Sequence, residues 1–144
     1  MPRLFLVIAA WALGLAALSG GRAAEPRASR PEVRAAVLRV VEDQLAAFRR
    51  GRPEAAYGFA SAPFRAQRTL EAFVAIVRDH YPEVWHNVRA EPGIVRDDGA
   101  RATVTMQVHA PNAAVAYDYT LVREAAGWRI HGVVRHEPRA GGKA

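Results

Sequence analysis

Apolar residues recur at helical spacing from Val33 to Tyr81, then at every second position from Val84 onward. The first spacing lays side chains along one face of a helix, the second along one face of a strand. One switch of period, near Tyr81-Pro82, restricts the chain to helices first and strands second. That order predicts an α+β domain with its helices packed on one face of an antiparallel sheet.

Ser29-Arg30-Pro31-Glu32 has the S-x-x-E form of a capping box, so the first helix is expected to start there. Val33, Ala36, Val37, Val40, Leu45 and Phe48 form its stripe, and Gly51 ends it with Arg49 and Arg50 in the last turn. Pro53 restarts the chain, and Glu54 to Phe59 reads as a short second helix broken by Ser61-Ala62-Pro63. Thr69 is the expected cap of a third helix, with Leu70, Phe73, Val74, Val77 and Tyr81 as its stripe and Pro82 as its stop.

The strand half begins at Val84, with a bend at Pro92-Gly93 between 84–91 and 94–96. Asp97-Asp98-Gly99 signals a tight hairpin turn. Ala102, Val104, Met106 and Val108 then alternate with Arg101, Thr103, Thr105, Gln107 and His109. After Pro111-Asn112, Val115, Tyr117, Tyr119 and Leu121 share a face, and Asp118 falls on the other. After Ala125-Ala126-Gly127, Trp128, Ile130, Gly132 and Val134 are expected to oppose Arg129, His131, Val133 and Arg135. The expectation is three helices on a curved sheet of about four strands.

Met1-Pro2-Arg3 precedes an uncharged run from Leu4 to Leu18 of about 15 residues, the length of a secretory leader rather than of a membrane span. Gly21-Arg22-Ala23 supplies small residues for cleavage after Ala23, with Ala24 as the alternative. Residues 1–23 are therefore expected to be a signal peptide, 24–29 a flexible lead-in, 30–137 the folded domain and 138–144 a disordered tail. The mature protein would be periplasmic or secreted, with no membrane span left after cleavage.

Two features of composition bear on function. Cysteine is absent, so no disulfide, thiolate metal site or cysteine nucleophile can form. The formal charge is +6, but the arginines are scattered without interleaved aromatics, which argues against a nucleic-acid partner.

Several segments carry a resemblance. Gly127-Trp128-Arg129-Ile130-x-Gly132-Val133 is similar to the closing strand pattern of the nuclear-transport-factor-2-like superfamily. Gln44-Leu45-x-Ala47-Phe48, Ala55-Ala56-Tyr57-x-Phe59-Ala60-Ser61, Phe73-x-x-x-Val77-Arg78 and Tyr81-Pro82-x-Val84 resemble a bacterial family catalogued as a domain of unknown function, number 4864. The resemblance spans roughly Val33 to Val134 and implies a cone of helices against a curved sheet. It carries over no activity, because that superfamily includes isomerases, dehydratases, hydrolases, ligand carriers and structural domains.

In such a cone the cavity lies between the helices and the sheet, and Tyr57, Tyr81, Tyr117, Tyr119 and Trp128 are the expected lining. No catalytic set converges in the sequence. Ser61 lacks a G-x-S-x-G setting and reads as a helix-ending, loop-capping residue. Asp79, His80 and Tyr81 stand near the expected mouth, but Asp79 reads equally as solvated surface. His80, His86, His131 and His136 lack the spacing of a metal site, and His109 and His131 are placed on the wet sheet face. No cofactor or metal is expected. The leading reading is a non-catalytic exported domain that binds a small apolar ligand or a protein partner. The alternatives are a ketosteroid-isomerase-like acid–base enzyme working in the cavity, and a structural homodimer formed through the sheet face.

Overall fold

A computed structural model describes residues 24–137. The expected signal peptide, 1–23, and the expected tail, 138–144, lie outside the described residues. The described residues form one helical layer against one face of a curved antiparallel sheet. None of their helices is long and apolar enough to cross a membrane.

The lead-in is not free of the fold. Arg27–Ala28 forms a short strand, β1, paired with Asp97 and Arg96. Ser29 N donates to Val95 O at 2.8 Å, and the Ser29 hydroxyl donates to Asp97. The expected capping box fails for this reason. The Ser29 oxygen is committed to the sheet, and Arg30 occupies the cap position without a side-chain cap bond.

Helix α1, Pro31–Arg49, buries Val37, Val41, Leu45 and Phe48 along one stripe together with Gln44 and Ala47. Its end is closed by Arg52 N donating to Ala47 O and Gly51 N to Phe48 O, with Gly51 at φ 67°. Helix α2 is only Pro53–Tyr57.

Three expected helices become five helical segments because prolines start turns here as well as ending them. Ser61 does not open a loop. Its Oγ accepts from Phe64 N at 3.2 Å and caps α3, Ala62–Gln67. Thr69 caps α4, Leu70–His80, through Ala72 N at 3.1 Å, as expected. Tyr81 leaves the helical region at φ −129°, and Pro82 then opens a further turn, α5, Pro82–Trp85. A proline at the first helical position loses no hydrogen bond, since its N–H would be unpaired there. Residues 82–85 are thus helical, so the strand expected from Val84 does not begin there.

The sheet starts with β2, Arg89–Pro92, and β3, Arg96–Asp97, lying one after the other along the same edge of β4, Arg101–Ala110. The break between them is at Pro92-Gly93, as the sequence indicates. Gly93 N donates to Thr105 O at 2.8 Å, and a Cβ on Gly93 would stand 3.1 Å from that oxygen, so the close approach favours glycine. Strand β5, Ala113–Glu124, pairs with the whole of β4 through its residues 113–122, and β6, Gly127–Arg135, pairs with β5.

A bulge interrupts the last pairing. Leu121 faces Ile130 but Thr120 faces Gly132, so His131 is the extra residue of β6. From there the faces of β6 exchange: Ile130 and Val133 are buried and Val134 is exposed. His131 is therefore turned inward, not onto the wet face, and Arg135 lies on the same side as Val133. The outer side of β6 meets the α2–α3 connection, where Ile130 N donates to Phe59 O at 2.9 Å and Ser61 N to Ile130 O at 2.8 Å. The opposite sheet face carries exposed Thr103, Thr105 and Gln107, as the alternation requires. Asp118 lies on that face too, accepting from the Thr105 hydroxyl and meeting His136 Nε2 at 2.6 Å.

Candidate functional site

Where the helices meet the sheet, Gln44 and Phe48 of α1, Phe73 and Val77 of α4, Tyr81, Tyr119 of β5 and Ile130 and Val133 of β6 enclose a cavity of about 20 Å³. A space of roughly 10–15 Å³ on this measure admits one water, so the cavity is nearly filled. The filling comes from aromatic rings. Phe48 stacks on Phe73 at 6.0 Å, and Phe64 meets Phe73 edge-on at 6.0 Å.

The five expected lining residues do not converge. Tyr81 and Tyr119 line the cavity. Tyr57 packs on Phe73 at 5.4 Å from the helical side, and its hydroxyl donates to the carbonyls of Arg65 and Arg68. That makes it a clamp on the end of α3. Tyr117 stands 5.9 Å from Tyr81, ring to ring, but sends its hydroxyl to Glu83. Trp128 lies at the other end of β6 under α1, on a groove shared with Ala35, Ala36 and Arg39. Tyr81, Tyr117, Tyr119 and Trp128 are buried and Tyr57 is partly so. Their distance along the strands and helices, which periodicity does not encode, separates them.

Three sets of polar groups lie in the core around the cavity and β6. Tyr119 is fully buried and its hydroxyl has no hydrogen-bond partner. Burial, with Glu42 and Tyr81 adding to it, holds its pKa well above the ordinary 10, so it is a neutral phenol. Leaving such a hydroxyl unpaired costs about 1–3 kcal/mol. Beside it, Tyr81 donates to Val133 O at 3.3 Å and is pushed up to about 12, chiefly by burial. Gln44 Nε2 donates to Ala56 O at 3.1 Å.

In the second set Glu83 of α5 receives the Tyr117 hydroxyl at 2.6 Å, Arg135 Nε at 2.9 Å and Arg135 Nη2 at 3.0 Å. Burial pushes the carboxyl up, and the bonds from Arg135 and Tyr117 outweigh it, so its pKa lies below the ordinary 4.5. In the third set Ser61 Oγ and His131 Nδ1 are 2.9 Å apart, both residues buried. Burial first, then the charge of Arg101, pushes the His131 pKa below 6.5, and Glu124 opposes them. A neutral imidazole accepts at Nδ1 from the Ser61 hydroxyl, while Ser61 Oγ accepts from Phe64 N. The pair joins the cap of α3 to the bulge of β6.

Sequence reasoning missed Glu83, Arg135 and the inward His131. Glu83 reads as an ordinary acid beside a proline. Gly132 within a strand was the available sign of a bulge, and the bulge is what brings Arg135 and His131 inside. Asp79 is exposed and paired with Arg78 at 3.1 Å, and its pKa is lowered, first by that bond. Among the described residues no three histidine or acidic side chains gather as a metal set.

Fold and site together define a small α+β domain whose helices close over a nearly filled apolar cavity with one unpaired phenol on its wall. The chain belongs to the family described as Domain of unknown function (DUF4864), whose model matches residues 31–141. No curated protein matches it.

Proposed function

We propose that this is an exported, non-catalytic binding domain of the nuclear-transport-factor-2-like cone type. It takes a small apolar molecule bearing one hydrogen-bond acceptor between its helices and its sheet, where the molecule displaces the aromatic rings that fill the space of about 20 Å³. The observation that carries this reading is the Tyr119 hydroxyl, wholly buried and unpaired in a lining whose other polar side chains, Gln44 and Tyr81, are bonded within the chain. Native polar groups of this kind are rare, and the cost of burying one is recovered when a ligand or a water supplies the missing acceptor. The phenol stays neutral, so it would donate without transferring its proton.

The acid–base enzyme reading has one candidate, the Tyr117–Glu83 pair. It fails as a proton carrier, because Arg135 already holds the carboxylate ionised through both of its oxygens. The leader-like residues 1–23 support export, to a periplasm or beyond.

Native mass spectrometry on protein recovered from the periplasm tests both parts. The intact mass is expected to begin at Ala24, or at Glu25. A small-molecule adduct is expected to survive gentle activation and to be lost in Tyr119→Phe. A bare monomer for wild type would remove the ligand reading, and a bare dimer would direct attention to Thr103, Thr105 and Gln107.

A further inference from the structure

A second concavity of about 510 Å³, open to solvent, lies directly outside the cavity, between the end of α1, the Gly51–Pro53 turn and the α5–β2 connection. Its size is that of a small-molecule site. Phe48, Pro53 and Trp85 give it an apolar floor, and Arg49, His86 and Asn87 its polar rim. Phe48 belongs to both spaces, lining the outer cleft and the inner cavity. Its ring is stacked on Phe73 within and lies 5.8 Å from Trp85 without. It is therefore the partition between them.

The rim is built. Asn87 is buried, donates to Leu45 O at 3.0 Å and to Val84 O at 2.8 Å, and accepts from Arg49 Nη1. That fixes one corner of the Arg49 guanidinium on a neutral acceptor and leaves its other N–H groups for a ligand. Arg50 and Arg52 flank it in the chain. No carboxylate among the described residues comes within 4.0 Å of Arg49, Arg50, Arg52 or His86. Glu42, on which the charge of Arg49 acts, is itself partly buried with its pKa raised, first by burial.

We infer that the ligand is an amphipathic carboxylate, its head held by Arg49 in the outer cleft and its tail passing Phe48 towards Tyr119. This rests on the cavity reading above and adds the charge and direction of the bound molecule. A guanidinium fork held in place by a buried amide matches a carboxylate bidentately, and Phe48, which lines both spaces, is the ring that the tail must displace.

Titration calorimetry with octanoate and with its neutral counterpart octanol separates the parts. Octanoate is expected to bind about tenfold more tightly than octanol. Arg49→Gln should abolish that difference while leaving octanol binding unchanged. A nuclear Overhauser contact between the octanoate methyl and the Tyr119 ring is expected. Equal binding of the two probes, or octanoate binding unaffected by Arg49→Gln, overturns the assignment of the head. A methyl that contacts only Trp85 overturns the route of the tail. Binding of neither probe overturns the whole inference, while the cavity reading is still judged separately by the Tyr119-dependent adduct.

Discussion

Tyr117 and Tyr119 stand two residues apart on one face of β5, and neither has any exposed surface. Their hydroxyls meet opposite fates. Tyr117 donates to a carboxylate that an arginine also grips. Tyr119 has nothing. A buried polar group whose partners are all supplied by the chain serves the fold, whereas one left unsatisfied costs stability and is available to something else. The contrast separates the two ends of this core more clearly than any count of aromatic residues does.

The contrast is broken most forcefully at Glu83. Replacing Glu83 with alanine leaves Arg135 and the Tyr117 hydroxyl without their acceptor, and is expected to cost about 3 to 5 kcal/mol in urea unfolding. Tyr117→Phe removes one charge-assisted bond and should cost about 2 kcal/mol by the same measurement. Ser61→Ala deletes the cap of α3 and the partner of His131 and should cost about 1 kcal/mol. Tyr119→Phe removes a hydroxyl with no partner, so the unliganded protein is expected to be unchanged or up to about 1 kcal/mol more stable. A loss in Tyr119→Phe as large as that in Tyr117→Phe would erase the distinction between the two tyrosines.

Dependence on pH sharpens it further. The folded pKa of Glu83 lies below 4.5, so its contribution is complete above 4.5 and is lost as pH falls through the folded value. His131 has a folded pKa below 6.5. The unfolded chain takes up that proton first, and stability should begin to fall as pH drops below 6.5. Both tyrosines are raised above 10. Above pH 10 the unfolded chain loses protons the folded one keeps, and stability falls there as well. Melting temperatures across pH should therefore show Tyr117→Phe altering the acid limb through Glu83, and Tyr119→Phe altering only the alkaline limb.

The order of layers was legible because one period gives way to another at a single place. The caps and turns at Thr69, Gly51 and Gly99 were legible because each has a local chemical cause. Helices α3 and α5 were not, since six and four residues are too short to display a period. The bulge at His131 was signalled only by Gly132, and misreading it put His131 and Arg135 on the wrong side. Tyr119 was named with four other aromatics, but nothing local distinguished it from Tyr117. That distinction depends on Glu83, 34 residues away in the chain.

The pairing of β1 with β3 sets an order on assembly. Strands β4, β5 and β6 are neighbours in sequence and can zip together through short turns, whereas Ser29 must find Asp97 at a separation of 68 residues. The segment ahead of the helices is thus expected to dock last. Until it does, the edge made by β3 stays open to any other strand that reaches it.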